Sequence, residues 1–203
     1  MDRQTQMERL RAEALTCPGC PNARTRVRVV FGEGNVDAKA MLVGQGPGIY
    51  EEQMGRPFVG PSGALLTGAL AEVGLDRESL WLTNVIKCRA VKQEKGRVVD
   101  RAPSAAELKA CRPWLEGELG IVQPGIVVCI GVPATHALID KKFKLSDEHG
   151  QFRDGPNGTR LMAVFHPAYV LRLRSVDEAA YERTWQALLS DLGKVALALK
   201  DIA

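Results

Sequence analysis

Cysteines are the side chains of this 203-residue sequence whose spacing points most directly to chemistry. Cys17 and Cys20 form a C-x-x-C pair, which lets two thiolates reach one metal centre from a tight turn. A redox pair with this spacing would lie where a strand meets a helix, whereas this pair follows a charged helical stretch. Cys88 and Cys111 are isolated, which suits a cluster with four thiolate ligands better than zinc, but both are also compatible with buried small hydrophobic residues. Cys129 lies inside an apolar run and is interpreted as a core residue.

A second set of candidate site residues consists of the polar and glycine residues that directly follow four compact apolar runs. We predict four buried strands, at residues 38–44, 80–85, 125–131 and 160–167. Ligands of open α/β sheets bind at the carboxyl ends of the strands, so the exits Gly44 to Gly48, Asn84, Gly131 and His166 are candidate site residues. A plain turn-forming role is the alternative for any single exit.

Amphipathic segments of helical length separate these runs, at residues 62–74, 103–119, 133–139 and 176–199, after a short N-terminal helix at 4–15. Alternation of strands and helices predicts an α/β fold, a three-layer α/β/α sandwich with a central four-stranded parallel sheet. Residues 25–34 and 148–160 are interpreted as peripheral hairpin or loop material. We expect one domain over residues 1–203, in which residues 1–24 contribute the N-terminal helix and the first cysteine pair.

The composition narrows the class of protein. The net charge of +3 is mild, so a nucleic-acid surface would have to be a local patch. The N-terminus lacks the apolar stretch of a secretory signal, and no run reaches the roughly 20 apolar residues of a membrane span. These features predict a cytoplasmic protein whose thiols are reduced. The glycine-rich segment 44–66 matches neither a phosphate-binding loop nor a dinucleotide fingerprint, which argues against nucleoside triphosphate hydrolysis.

Four ordered motifs carry a resemblance to a known family: GQGPGIYEEQMGRPFVGPSG from residue 44, TNVIKCRA from 83, ACRPWL from 110 and HPAYVLR from 166. With CPGC upstream, they resemble the iron–sulfur uracil-DNA glycosylases, family four of that superfamily, over roughly residues 17 to 195. The resemblance implies an α/β/α sandwich around a four-stranded parallel sheet. It also implies that Cys17, Cys20, Cys88 and Cys111 hold a [4Fe–4S] cluster with a structural role.

By similarity, five residues are assigned to uracil binding and to catalysis. Phe58 matches the aromatic residue that stacks on the flipped base, and Asn84 matches the residue that reads its polar edge. Gly46 is assigned to the same pocket. His166 matches the histidine near uracil O2, and Glu51 the acidic residue of the first motif, with Glu52 as its rival in register.

One catalytic position departs from the family pattern. The family usually has Glu where this sequence has Gln45, and an amide cannot act as a general base. Gln45 is still a candidate catalytic residue by its position. Activation of the water molecule would then depend on Glu51 or on backbone carbonyls, or it would be weak.

Two segments are assigned to DNA by similarity. In the segment 168–174, Leu171 would insert into the base stack while Arg172 and Arg174 contact phosphates. The long basic segment 91–104 adds Arg101. It resembles the extended loop of the X class of these enzymes, where a histidine becomes bonded to the sugar, but the matching position here is Asp100.

The sequence thus predicts an enzyme that hydrolyses the N-glycosidic bond of uracil in DNA and leaves an abasic site. Its partner would be single- or double-stranded uracil-containing DNA, and we expect a monomer. A non-catalytic or covalently trapping DNA binder of the same fold is the alternative. A redox or cluster-carrier protein is a third hypothesis, which would explain the cysteines but neither Asn84 nor His166.

Overall fold

The computed structural model describes residues 1–202. Its strands are β1 Glu33–Gly34, β2 Ala40–Gly44, β3 Trp81–Asn84, β4 Val91–Glu94, β5 Arg97–Asp100, β6 Ile126–Ile130, β7 Phe152–Asp154 and β8 Arg160–Val164. Its α-helices are α1 Arg3–Leu15, α2 Ile49–Met54, α3 Pro61–Glu72, α4 Ala105–Val122, α5 Val132–Leu138, α6 Leu145–Glu148, α7 Pro167–Leu173 and α8 Glu178–Lys200.

The central sheet has the strand order β1-β3-β2-β6-β8-β7 in the described part of the chain. The four inner strands are parallel, and they are the four strands that the apolar runs predict. The predicted α/β fold is therefore confirmed. The expected count of four strands is wrong, because β1 and β7 add antiparallel edges and make the sheet six-stranded within residues 1–202.

Both faces of the sheet are covered by helices, which makes the three layers. Successive residues of a strand point to opposite faces. In β2, Leu42 therefore packs into a core formed with α3, α7 and α8, while Met41 and Val43 pack into a second core formed with α1, α4 and α5. Every residue of β2 and β6 is buried, as expected for parallel strands covered on both sides.

A second sheet in the described residues is the hairpin of β4 and β5, within the segment that the sequence indicates only as a long basic loop. Its turn has Lys95 and Gly96 at φ 49° and 76°. Paired positive φ values match the twist of a two-residue hairpin turn, and glycine adopts one without strain. The hairpin ends at Asp100, which pairs with Val91.

A buried ion pair joins the segment that follows β3 to α4. The Lys87 ammonium contacts the Glu118 carboxylate at 2.5 Å, and both side chains are 1% exposed or less. Lys87 also donates to Thr83 Oγ1 and to the Asn84 carbonyl oxygen, and Glu118 accepts from the Gly32 amide. Removing one partner of such a pair typically costs about 3–5 kcal/mol, since the other charge stays buried.

None of the helices among residues 1–202 is both long enough and apolar enough to cross a lipid bilayer.

Candidate active site

A cleft of about 780 Å³ opens at the carboxyl ends of the parallel strands, where the fold predicts a ligand site. Most of the predicted site residues line it: Gln45, Gly46, Glu51, Phe58, Asn84, Arg101, His166 and Arg172. Leu171 on α7 and Arg174, the residue that caps its C-terminus, lie outside the lining. The segment assigned to an inserting loop is thus mostly a short helix, with the Arg174 guanidinium 5.9 Å from the centre of the Tyr181 ring.

Phe58 and Asn84 converge across the end of β2. A Cβ atom added to Gly44 would lie 2.6 Å from Phe58 Cζ and 2.5 Å from Asn84 Oδ1. Glycine is therefore needed at residue 44 for close approach, because any side chain would displace the ring or the amide. The result is an aromatic ring and a carboxamide at adjoining positions in one cleft.

The backbone of Phe58 is held in a conformation that a bulky residue rarely adopts, with φ at 53°. Arg77 donates to the carbonyl oxygens of Pro57 and Phe58, at 2.8 and 3.0 Å. Glu51 accepts from the amides of Val59 and Gly60, at 3.1 and 2.8 Å. These contacts bracket the residue on both sides and offset a strain of about 1–3 kcal/mol.

Glu51 and Glu52 have different surroundings, which settles which one faces the cleft. Glu51 lines it, and its second oxygen accepts from the Gly48 amide at 3.1 Å. Glu52 is outside the lining, where it accepts from the Val27 amide and lies 3.8 Å from Arg89. The first acidic residue of the motif is therefore the one positioned for chemistry.

The side-chain amide of Asn84 is free to bind a ligand. Asn84 is 3% exposed, and its side-chain amide makes no hydrogen bond to a described residue. The amide is not among the fully buried groups without a partner, because it is reached from the cleft. Its backbone is fixed by β3 and by the Lys87 ammonium, which donates to the Asn84 carbonyl oxygen at 2.9 Å. A buried amide with unused donor and acceptor capacity can discriminate strongly between ligands.

His166 faces the same cleft from the end of β8. The pKa of His166 is lowered to about 4, mainly by burial and also by Arg172, while Glu51 partly opposes this shift. Nδ1 accepts from the Ala168 amide at 3.1 Å, so the neutral ring carries its proton on Nε2. A Cβ atom at Gly131 would lie 2.9 Å from His166 Cβ, so glycine gives this ring room.

Arg101 and Gln45 form another part of the wall. The Arg101 guanidinium makes two hydrogen bonds to Glu107, at 2.7 and 2.6 Å, and holds the pKa of that carboxyl down at about 2. Arg101 also donates to the Val91 carbonyl oxygen, which closes the base of the hairpin. Gln45 donates to the Arg101 carbonyl oxygen at 3.3 Å.

Some cleft residues were not predicted from the sequence. Lys144, Leu145 and Ser146, near the start of α6, line the cleft together with Phe143 and Phe165. The basic run at 141–144 was a signal that could have indicated this wall. Arg77, which holds the Phe58 loop, had no comparable signal.

The four proposed ligand cysteines come from three segments that meet beside α4. The pKa of the Cys88 thiol is raised to about 12, mainly by burial; Arg26 opposes this shift, and Cys111 and Cys20 add to it. Burial likewise raises the pKa of Cys111, with smaller contributions from Cys20 and Cys17. The sulfur atoms are thus near enough to influence one another, although among the described residues they form no closed group that could hold a metal ion.

Three nitrogen donors beside the cysteines favour a sulfur-rich ligand in this space. Asn22 Nδ2 is buried without a hydrogen-bond partner in the described part of the chain, two residues after Cys20. The Arg26 guanidinium lies 3.7 Å from Cys88 Sγ, and the Lys87 amide 3.5 Å from Cys111 Sγ. Donors of this kind suit a thiolate-bound cluster. The fifth cysteine, Cys129, is fully buried in β6, apart from the other four.

Comparison with known proteins places this fold and cleft in a family. The family model for the uracil DNA glycosylase superfamily matches residues 31–189, which include the sheet and the cleft. The chain therefore belongs to the uracil DNA glycosylase superfamily.

Several relatives are of one type within it. The type-4 uracil-DNA glycosylase of Thermotoga maritima is 37% identical over 174 residues, which cover 85% of this chain and 87% of that protein. The type-4 enzyme of Pyrobaculum aerophilum is 35% identical, over 82% of this chain and 85% of its own. That of Archaeoglobus fulgidus is 32% identical, over 84% and 87%.

We predict that His166 titrates near pH 4 in the folded protein instead of near its ordinary value of 6.5. The unfolded chain then binds more protons between these two values, so His166 makes the folded state progressively less stable as the pH falls through that window. An NMR titration of the imidazole, assigned with His166→Gln, measures this pKa. Titration of the ring near pH 6.5 would contradict the neutral histidine described above.

Proposed function

We propose that this protein hydrolyses the N-glycosidic bond of deoxyuridine in DNA, releasing uracil and leaving an abasic site. The observation that carries the proposal is the convergence of Phe58 and Asn84 across Gly44, with His166 in the same cleft. The similarity to type-4 uracil-DNA glycosylases over most of the chain supports it. It also favours hydrolysis over a non-catalytic or covalently trapping DNA binder.

Recognition of the base follows from the first two side chains. The Phe58 ring stacks on the flipped pyrimidine, an interaction worth about 1–3 kcal/mol. The Asn84 carboxamide accepts from uracil N3–H and donates to O4, a pattern that cytosine reverses. The backbone at Gly46 completes the slot beside the ring. Uracil is therefore selected by hydrogen-bond polarity and by shape.

Departure of the base needs stabilisation of negative charge. The neutral His166 donates from Nε2–H to uracil O2, where charge accumulates as the C1′–N1 bond breaks. A neutral donor is already in the required protonation state at neutral pH, because its pKa is lowered to about 4. The Glu51 carboxylate contributes a fixed negative charge that favours the developing positive charge on the sugar.

DNA binds across the mouth of the cleft. The target base must leave the stack to reach Phe58, which is easier for mispaired or single-stranded uracil. Arg172 lines the cleft and is exposed, so it is positioned for a phosphate contact. Leu171 on α7 and Arg174 at its C-terminal cap contact the flanking DNA. Arg101 acts mainly by holding the hairpin against the cleft.

A [4Fe–4S] cluster is proposed at Cys17, Cys20, Cys88 and Cys111. The buried Asn22 amide, the partly buried Arg26 guanidinium and the mutual influence of the thiols support this ligand set. When bound, the cluster would cross-link the three cysteine-bearing segments, since hydrolysis transfers no electrons. Lys87, between Asn84 and Cys88, then lies at the junction of the base pocket and the cluster site.

Asn84→Asp is expected to lower uracil release from a uracil-containing oligonucleotide by about 100-fold or more, because the carboxylate loses the donor to O4 and repels the leaving anion. Single-turnover assays with purified protein measure this. Asn157→Asp, in an exposed turn away from the cleft, is the matched control and should keep the wild-type rate. Wild-type protein that binds its cluster but releases no uracil would overturn the proposed function.

Cys88→Ala is expected to remove the visible absorbance of the purified protein and to lower its iron content from about four atoms per chain. Cys129→Ala removes a buried thiol from the core and should leave both unchanged. Iron and sulfide analysis of the three proteins distinguishes these cases. A colourless wild-type protein that contains zinc would contradict the cluster assignment.

A further inference from the structure

The acidic residues that face the cleft are few. Among the described residues that line it, the carboxylates are Glu51 and Asp100. Hydrolysis requires a group that orients the attacking water and accepts its proton, and a carboxylate is suited to both tasks. The structure therefore offers two candidates for this step, and their hydrogen bonds separate them.

Glu51 is occupied by the loop that it supports. Oε1 accepts from the amides of Val59 and Gly60, and Oε2 accepts from the Gly48 amide, all between 2.8 and 3.1 Å. Moving this carboxylate toward water would release the strained loop at Phe58. Glu51 thus serves as a fixed charge and a structural anchor.

Gln45 also cannot take the proton. Its side chain is an amide, and its nitrogen donates to the Arg101 carbonyl oxygen. The neutral glutamine fixes the base of the hairpin against the end of β2 instead.

Asp100, in contrast to Glu51, has a carboxylate oxygen that is free to bind water. Oδ1 accepts from Arg89 Nε at 2.6 Å, while Oδ2 has no donor among the described residues. The side chain is 52% exposed, and Oδ2 would lie 3.9 Å from a Cβ atom on Gly48, across the glycine-rich loop. The hairpin register, with Asp100 opposite Val91, and the Arg89 contact hold the carboxylate at the rim of the cleft.

We propose that Asp100 is the catalytic base of this protein, an inference that rests on the proposed uracil excision. Asp100 Oδ2 accepts a proton from the water molecule as the water oxygen bonds to C1′ of the deoxyribose. The C1′–N1 bond breaks, and its electron pair leaves with uracil, which His166 stabilises at O2. Proton transfer from Asp100 to the departing uracil or to solvent restores the carboxylate.

Because Asp100 is negatively charged, a neutral substitution there should affect catalysis and DNA binding in different directions. Removing an acidic group beside DNA should leave DNA affinity unchanged or make it tighter, since repulsion of phosphates decreases. Removal of a catalytic carboxylate from the same position should slow the chemical step. The two effects have opposite signs, so one substitution reports on both.

Asp100→Asn is expected to lower the single-turnover rate of uracil release by about 100-fold or more, with the dissociation constant for uracil-containing DNA no weaker than wild type. Glu94→Gln is the matched control, because Glu94 is an exposed acid on the same hairpin, paired with Lys92. Asp100→Ser is the second variant, and added formate should restore part of its rate.

Three results of the rate and binding measurements would overturn this role. They are a rate for Asp100→Asn within about threefold of wild type, an equal loss in Glu94→Gln, or a loss that follows weaker DNA binding. A denaturation-resistant protein–DNA adduct formed by wild type and absent from Asp100→Asn would also overturn it, since Asp100 would then attack C1′ itself. Failure of the proposed function is distinct, because the wild type would then release no uracil.

Discussion

The buried contact between Lys87 and Glu118 is the constraint on which both halves of the site depend. It lies in the interior with both side chains 1% exposed or less, so its charges can be satisfied only by each other and by nearby dipoles. Lys87 is three residues after Asn84 and one before Cys88, while Glu118 is on the helix that carries Cys111. The Asn84 segment, Cys88 and Cys111 are thereby fixed to the same pair.

A second set of polar contacts positions the Phe58 ring in the cleft. Arg77 and Glu51 bind opposite sides of the Phe58 peptide region, and Gly44 leaves space for the ring next to Asn84. Because these contacts are complete before any ligand arrives, the slot does not have to be ordered on binding. Such preorganisation is what allows fixed dipoles to stabilise a transition state. Asp100, on the exposed hairpin, is held at the rim of the cleft by the pairing with Val91 and by Arg89.

The parallel sheet and its ligand-bearing edge could be predicted, since continuous apolar runs bounded by turn residues specify buried strands. The exits at Asn84 and His166 do line one cleft. The edge strands β1 and β7 could not be predicted, because two or three residues show no periodicity. The hairpin ending at Asp100 was indicated only as a basic loop, since its turn uses Lys95 at positive φ.

Polar contacts between residues far apart in the sequence also could not be predicted. Lys87 and Glu118 are 31 residues apart, and neither spacing nor residue type shows that a charged lysine is buried. Arg77 likewise gains its role only through the fold, by reaching carbonyl groups of a loop nearly 20 residues earlier. Residue types indicate what a site could do, while such contacts decide which of the candidate groups remain free to do it.

The most direct test of the account is a crystal structure of the protein with free uracil bound. We expect the pyrimidine ring to stack on Phe58, with the Asn84 carboxamide within hydrogen-bonding distance of N3 and O4 and His166 Nε2 within reach of O2. Uracil bound outside this cleft, or bound there without contact to Asn84, would contradict it.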